Sequence, residues 1–182
     1  MLEHSSRPAG GRDRAAGFTL VELMITLAVA AVVLAIAVPN FTGLVNASRL
    51  TSQANELITG LQLARSEAVR LNRQVTFCGG ADEAATTCNA SGRNWSVWLV
   101  LRADTGQVLY SGAVNPSIQV RSANVRVAFR ADGLARADDG TLANTSIRLC
   151  MPVRRPADNI RQVTLASGSR TGVTSESGNG AC

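Results

Sequence analysis

An uninterrupted apolar segment, Thr19–Val38, constrains this chain of 182 residues more than any other feature. Its twenty residues, TLVELMITLAVAAVVLAIAV, contain a single charged side chain, that of Glu22. Because a helix rises about 1.5 Å per residue, the segment covers about 30 Å, the thickness of the hydrocarbon core of a bilayer. The sequence therefore predicts one membrane-spanning helix, and no second segment of this kind follows it.

The flank before this segment is basic, since Arg7, Arg12 and Arg14 precede it. Arginines in this position favour the cytoplasmic side of a membrane. We therefore expect a single pass through a membrane. The N-terminus should lie in the cytoplasm and the larger C-terminal part on the opposite side of that membrane.

Two common interpretations of the apolar segment are a secretory signal and a plain signal anchor. Ala35-Ile36-Ala37 has the small-x-small pattern of a signal-peptidase site. However, the segment is longer than the usual apolar region of about 7 to 15 residues. It also contains Glu22, and a carboxylate costs up to about 2.5–3.5 kcal/mol at the centre of a spanning helix and less near its end. Both interpretations are therefore disfavoured.

A carboxylate in this position needs a positive partner, and the chain itself offers one. If the chain is cut after Gly17, the new α-amino group of Phe18 lies one helical turn from Glu22. The sequence GFTLVELMITLAVAAVVLAIAVPNF resembles the N-terminus of type IV pilins and type II secretion pseudopilins. The resemblance covers Gly17 at the cleavage site, Phe18 as the N-methylated residue, Glu22 as the acidic fifth mature residue and Pro39 as the helix-bending proline.

The resemblance implies three segments with distinct roles. Residues 1–17 form a leader that prepilin peptidase removes. Residues 18–40 form the transmembrane and assembly half of a long helix, and residues 41–182 form a periplasmic head. In this family the helix leaves the inner membrane and enters a filament with other minor and major pilins or pseudopilins. Glu22 then neutralises the terminal amine of a neighbouring subunit, because an unpaired charge is costly in an apolar filament core.

Helical periodicity resumes after Pro39 and Asn40, which should break or kink the helix. Apolar residues at steps of three and four predict an amphipathic helix over 43–72 whose apolar stripe packs on a sheet. The stripe consists of Leu50, Ala54, Leu57, Ile58, Leu61, Ala64, Ala68 and Leu71. Charged residues mostly take the other faces, where Glu67 can pair with Arg70.

Short runs with a period of two follow over residues 74–182 and predict strands. The candidates are Gln74–Cys78, Asn94–Leu101, Gln107–Ser111, Ile118–Arg121, Val125–Arg130, Thr145–Met151 and Ile160–Ala166. In the second of these, apolar residues occupy both faces, so we expect both faces to be covered. One long helix followed by antiparallel strands indicates an α+β fold. The helix end Leu61–Val69, leading into Val75–Cys78, is similar to the GspH/FimT branch of minor pilins and pseudopilins, in which this helix packs under two small sheets.

The part expected in the periplasm contains four cysteines, Cys78, Cys88, Cys150 and Cys182. That compartment is oxidising, and the four allow three pairings into two disulfides. We favour Cys78–Cys88 and Cys150–Cys182, because each closes a local loop. The second bond would hold the polar tail Ser175–Ala181, which has nothing apolar to dock.

The composition excludes most catalytic sites. All 18 basic residues are arginine, and the only histidine, His4, lies in the leader. A Ser/His/Asp site, a Cys/His site and a phosphate loop that needs lysine are therefore absent from the mature sequence. The nearest carboxylate cluster, Asp132, Asp138 and Asp139, has a turn-forming sequence context. We expect no enzymatic activity, no cofactor and no bound metal.

A basic strip occupies the last 35 residues, and it consists of Arg148, Arg154, Arg155, Arg161 and Arg170. Such a strip can be solvated, contact acidic neighbouring subunits or bind phosphates. Some FimT-type minor pilins bind DNA through a Gly-Arg-x-Arg element, whereas Gly168-Ser169-Arg170-Thr171 has one arginine here. The main expectation is a structural subunit in the tip or initiation complex of a type IV pilus or type II secretion pseudopilus. DNA binding for natural transformation is the alternative, with DNA as a further partner.

Overall fold

The computed structural model describes residues 18–137 and 140–182. In these two ranges it contains one helix, α1 Leu20–Leu71, and nine strands. The strands are β1 Val75–Gly80, β2 Val97–Arg102, β3 Val108–Ala113, β4 Gln119–Ser122, β5 Arg126–Phe129, β6 Ala135–Arg136, β7 Thr145–Cys150, β8 Ile160–Ala166 and β9 Arg170–Glu176. The expected α+β class is confirmed. The chain divides into two units, with the boundary between Pro39 and Asn40.

Both ends of α1 have recognisable caps. At the start, the Thr19 hydroxyl accepts a hydrogen bond from the backbone N–H of Glu22 at 3.2 Å, as an N-cap residue does. At the end, Asn72 has a φ of 50°, and the Arg73 N–H donates to the carbonyl of Ala68 at 3.2 Å. Asparagine tolerates this left-handed conformation, which satisfies the last carbonyls of a helix. The helix ends where its periodicity predicts.

The predicted break at Pro39 is wrong, because α1 continues through this residue and Asn40. Proline removes one hydrogen bond, and the rest of a 52-residue helix remains bonded on both sides of it. A kink at this position stays a prediction.

The strands form two antiparallel sheets. The five-stranded sheet has the order β3-β2-β1-β5-β6, and the four-stranded sheet has the order β4-β7-β8-β9. The seven predicted strands are present, with bounds shifted by at most three residues. Two further strands were not predicted: β6, which has only two residues, and β9, whose sequence RTGVTSE has one large apolar side chain. Backbone pairing with β8 along all seven residues forms β9, so its polar composition gives no strand signal.

The core lies where the second half of α1 meets both sheets. Six of the predicted stripe residues are buried, and Ile58 and Leu71 are partly buried. They pack in one cluster with residues of the five-stranded sheet, including Phe77 and Phe129, and of the four-stranded sheet, including Leu149. The expectation that this stripe packs on a sheet is confirmed.

A second, smaller core covers the other face of the five-stranded sheet. It contains Cys78, Val97, Leu99 and Leu101, with Cys88 and two other partly buried side chains packed against it. The prediction that β2 is covered on both faces is therefore confirmed. The Cys78–Cys88 disulfide holds the loop after β1 against this face.

Candidate assembly site

The apolar segment is exposed along its described length. Its large apolar side chains are exposed on all sides of the helix, and Leu27 is 61 % exposed. By length and composition, α1 contains a stretch that can cross a membrane. A helix that is apolar all round is stable only inside a membrane or in the interior of a larger assembly. This surface is therefore the first candidate for a functional site.

Glu22 lies in the first turn of α1, in an otherwise apolar surface. Its own N–H is held by Thr19, whose carbonyl also accepts the first helical hydrogen bond, from Leu23, at 3.1 Å. Among the described residues, none forms a hydrogen bond or an ion pair with the Glu22 carboxylate. The carboxylate is exposed, as is Phe18 beside the helix start. Gly17, the predicted cleavage position, lies outside the described residues.

Thr19 was not predicted as a functional residue, although the sequence contains a signal for its role. Thr19-Leu-Val-Glu22 has the spacing of a capping box, in which threonine caps the helix and the acidic residue follows three positions later. A negative charge in the first turn also interacts favourably with the helix dipole. Thr19 thereby fixes the residue at which the helix begins, and so the position of Glu22 relative to the predicted mature terminus.

Two further exposed apolar side chains, Phe41 and Leu44, lie in the second unit, before the buried stripe begins at Leu50. They are three residues apart and therefore share a face of α1. Sequence analysis did not single them out. Their exposure adds apolar surface that the rest of the head leaves uncovered.

Glu67 forms hydrogen bonds within the head. It was predicted to lie off the apolar stripe, and it is only 7 % exposed. It accepts hydrogen bonds from Arg70 at 2.6 Å and from the Tyr110 hydroxyl at 3.2 Å, so the predicted Glu67–Arg70 pair is confirmed. The hydrogen bond from Arg70 lowers the pKa of Glu67 below its ordinary value. Glu67 is buried because β3 packs beside this edge of the helix and supplies a tyrosine donor.

The C-terminal tail is docked by a disulfide and by one buried amide. The Cys150–Cys182 bond is present, so the structure has the pairing that we favoured. Asn159, fully buried, donates to the carbonyl of Met151 at 2.8 Å and accepts from the N–H of Gly178 at 2.7 Å. The predicted tail Ser175–Ala181 needs correction, since its first two residues belong to β9.

The five C-terminal arginines do not share one surface. Arg148 and Arg170 lie on the outer face of the four-stranded sheet, two strands apart. The residue of β9 level with Arg148 is Thr174, and Arg170 lies four residues from it along the strand. Arg161 points toward α1, where it donates to the Thr51 hydroxyl at 3.4 Å. Arg154 and Arg155 are exposed in the loop between β7 and β8. This dispersed arrangement does not favour a common phosphate surface, and DNA binding by these residues stays a prediction.

The carboxylate cluster is only partly described. Asp132 accepts hydrogen bonds from the Leu134 N–H at 2.9 Å and from Arg136 at 3.1 Å. The hydrogen bond from Leu134, and to a smaller extent that from Arg136, lowers the pKa of Asp132. Asp138 and Asp139 lie outside the described residues. Within the described ranges, no group of three or more potential metal-binding side chains comes together.

Comparisons with known proteins agree with this architecture. A family model described as Type II transport protein GspH matches residues 53–169, and one described as Prokaryotic N-terminal methylation motif matches residues 12–38. No curated protein sequence matches the chain.

Two solved structures have a similar fold. The chain is similar to the type IV minor pilin FimU of Pseudomonas aeruginosa PAO1, with 19 % identity, a TM-score of 0.50, and coverage of 70 % of this chain and 89 % of that one. It is also similar to the minor pseudopilin EpsH of the Type 2 Secretion System of Vibrio cholerae, with 12 % identity, a TM-score of 0.50, and coverage of 70 % and 97 %. At such identities the likeness shows a shared fold.

Proposed function

The chain belongs to the family described as Type II transport protein GspH, and we propose that it is a structural subunit of a filament. Its place is the tip or initiation complex of a type IV pilus or type II secretion pseudopilus. The likeness of its fold to a minor pilin and a minor pseudopilin supports this role. Prepilin peptidase processes it, and other pilins or pseudopilins are its partners. In this role the chain itself catalyses no reaction.

The observation that carries this proposal is the exposed apolar half of α1 with one carboxylate in its first turn. A membrane anchor needs the apolar surface but gains nothing from Glu22, which raises the cost of insertion. A filament subunit needs both, because helices that pack together in an apolar interior must be held at a defined axial position. The carboxylate provides that position when it meets a single positive charge.

Cleavage after Gly17 supplies the positive charge. Phe18 then carries the α-amino group, and the N-methylation motif matched over residues 12–38 supports this position for processing. Because Thr19 caps the helix, the amine and the Glu22 carboxylate lie about one turn apart in each subunit. We propose that Glu22 contacts the amine of a neighbouring subunit, which neutralises two charges at one contact.

The head supplies the remaining contacts in this proposal. It is a stable scaffold, since α1 and both sheets share a continuous core and two disulfides close its loops. The exposed Phe41 and Leu44 add apolar contact surface to the second unit. The chain anchors in the inner membrane with the head in the periplasm before it assembles.

Intact-mass measurement of the membrane-extracted protein tests the processing step. We expect a chain that begins at Phe18 and carries one methyl group on its terminal amine. A Gly17→Val variant should retain the leader, with a normal amount of protein in the membrane. An intact start in the wild type, or a new terminus beyond Ala37, would overturn the proposed function.

A further inference from the structure

Three arginines from distant parts of the sequence meet in one row on the four-stranded sheet. Arg121 of β4 lies directly opposite Arg148 of β7, and Arg93 forms an isolated antiparallel bridge with Arg121 on the other side. We name Arg93, Arg121 and Arg148 the arginine row. Gln162 of β8 and Thr174 of β9 continue the same row across the sheet.

The side chains of the arginine row point away from the core. Val120 and Leu149, which adjoin Arg121 and Arg148 in sequence, are buried. Successive residues of a strand point to opposite faces, so the two arginines lie on the outer face. Arg93 is exposed and shares that face, because bridge partners in an antiparallel pair project to the same side.

The backbone pairing brings the Cα atoms of these arginines close together. The Asn94 N–H bonds to the carbonyl of Val120 at 3.0 Å, and the Ser122 N–H to that of Gly92 at 2.8 Å. Arg93 and Arg121 are therefore a non-hydrogen-bonded pair, the type with the shorter Cα separation of about 4.5 Å. Arg121 and Arg148 lie about one strand spacing, roughly 4.8 Å, apart.

Like charges directly opposite each other destabilise a sheet, and nothing in the described chain compensates for them. No described carboxylate forms an ion pair with the arginine row. A fold gains no stability from three such neighbours. An external anion with the same spacing would convert this repulsion into attraction.

We propose that the arginine row binds an acidic face of a neighbouring filament subunit. This inference rests on the proposed function, since it assigns a partner to the head of a filament subunit. Each guanidinium forms two parallel hydrogen bonds with one carboxylate. Carboxylates spaced about 5–6 Å apart, as at i and i+4 on a helix or directly across a sheet, match the spacing of the row.

The surroundings of the row favour a protein over a nucleic acid. The chain has four phenylalanines, two tryptophans and one tyrosine. None of them lies on the outer face of the four-stranded sheet, so nucleic-acid bases would have no aromatic side chain there on which to stack. Three arginines within about 10 Å also neutralise only about three phosphates. Gln162 and Thr174 instead extend the row with neutral groups that suit polar side chains of a protein.

Binding of charge-matched probes tests this inference directly. The full chain in detergent is titrated with fluorescent poly-L-glutamate and, separately, with duplex DNA of the same total charge. The test variant is Arg121→Gln/Arg148→Gln. The matched control, Arg49→Gln/Arg73→Gln, removes the same charge from two exposed arginines elsewhere on the head.

We expect the test variant to lose at least about tenfold in affinity for poly-L-glutamate, since two charge-assisted contacts disappear. The control should retain the wild-type affinity, and both variants should unfold at or above the wild-type denaturant midpoint. Equal losses in both variants would contradict a defined site. Tighter, row-dependent binding of DNA would make nucleic acid the occupant and overturn the inference.

A cellular measurement separates this inference from the proposed function. The Arg121→Gln/Arg148→Gln chain should be cleaved at Gly17 and inserted normally, yet its recovery in sheared filaments should fall severalfold. Normal recovery of the variant in filaments would refute the arginine row alone. Absence of the processed wild-type chain from filaments would refute the proposed function itself.

Discussion

The two halves of α1 have the same secondary structure but opposite relations to the rest of the chain. Apolar residues of the first half, such as Leu27, are exposed on every side, whereas Leu57 and Leu61 of the second half are almost completely buried. The second half finds its apolar partner in the sheets of its own chain. The first half must find one in a membrane or in other subunits. Substitutions in the two halves should therefore affect different measurements, assembly in one and stability in the other.

The largest effect is expected at Glu22. Glu22→Val should leave insertion and cleavage unchanged but abolish recovery in filaments, with a decrease of about 100-fold or more, because an unpaired amine in an apolar interior costs several kcal/mol. Quantitative immunoblots of sheared filaments and membranes provide the measurement. Thr26→Val is the matched control in the same segment, since the Thr26 hydroxyl donates to the carbonyl of Leu23 within the helix and forms no other hydrogen bond with a described residue. Wild-type recovery of Glu22→Val would contradict the pairing role.

A leucine substitution in each half tests the comparison by stability. Leu57→Ala should lower the free energy of unfolding of the head by about 3–5 kcal/mol, because it leaves a cavity in the shared core. Leu27→Ala should leave it unchanged. Denaturant unfolding in detergent can be followed by the fluorescence of Trp95 and Trp98, which are both buried in the head. Equal effects of the two substitutions would mean that the two halves are not independent.

Removal of the C-terminal disulfide should have the next largest effect. Cys150→Ser/Cys182→Ser frees a loop with a sequence separation of 32, and typical costs are about 2–4 kcal/mol. The hydrogen bonds of Asn159 keep part of the tail in place, so the protein should still fold. The same unfolding measurement applies, and limited proteolysis should show cleavage near Ser177. An unchanged unfolding midpoint would show that Asn159 alone docks the tail.

The smallest effect concerns Glu67 and pH. Its folded pKa lies below the ordinary value of 4.5 because Arg70 stabilises the charged form. The pair therefore contributes stability above that value, and the contribution is lost as pH falls through the folded pKa. Glu67→Gln should cost less than about 1 kcal/mol at pH 7, because Arg70 is largely exposed.

The difference in free energy of unfolding between wild type and Glu67→Gln should shrink as the pH falls below 4.5 and through the folded pKa of Glu67, measured in denaturant curves at a series of pH values. Glu83→Gln, in an exposed loop, serves as the control and should differ little from the wild type over the same series. If the difference in free energy of unfolding between wild type and Glu67→Gln is constant with pH, the hydrogen bond from Tyr110, rather than the charge of Glu67, accounts for the stabilisation.

Sequence patterns identify features that depend on neighbours along the chain. The apolar length of 19–38, the capping spacing Thr19-Leu-Val-Glu22, the stripe from Leu50 to Leu71 and most strand positions are of this kind. Each reflects a period of 3.6 or 2 or a backbone preference of one residue type. Pairing of the cysteines by local loop closure also belongs here, since the shorter loops are easier to close.

Only the tertiary structure determines the features that depend on how distant segments align with each other. Polar β9 forms a strand only because β8 offers a free edge, and Glu67 is buried only because Tyr110 of β3 arrives beside it. The arginine row exists because antiparallel pairing aligns positions 93, 121 and 148, and a shift of one residue would turn each side chain to the other face. No local pattern encodes that register, because the free energy that selects it comes from the whole core.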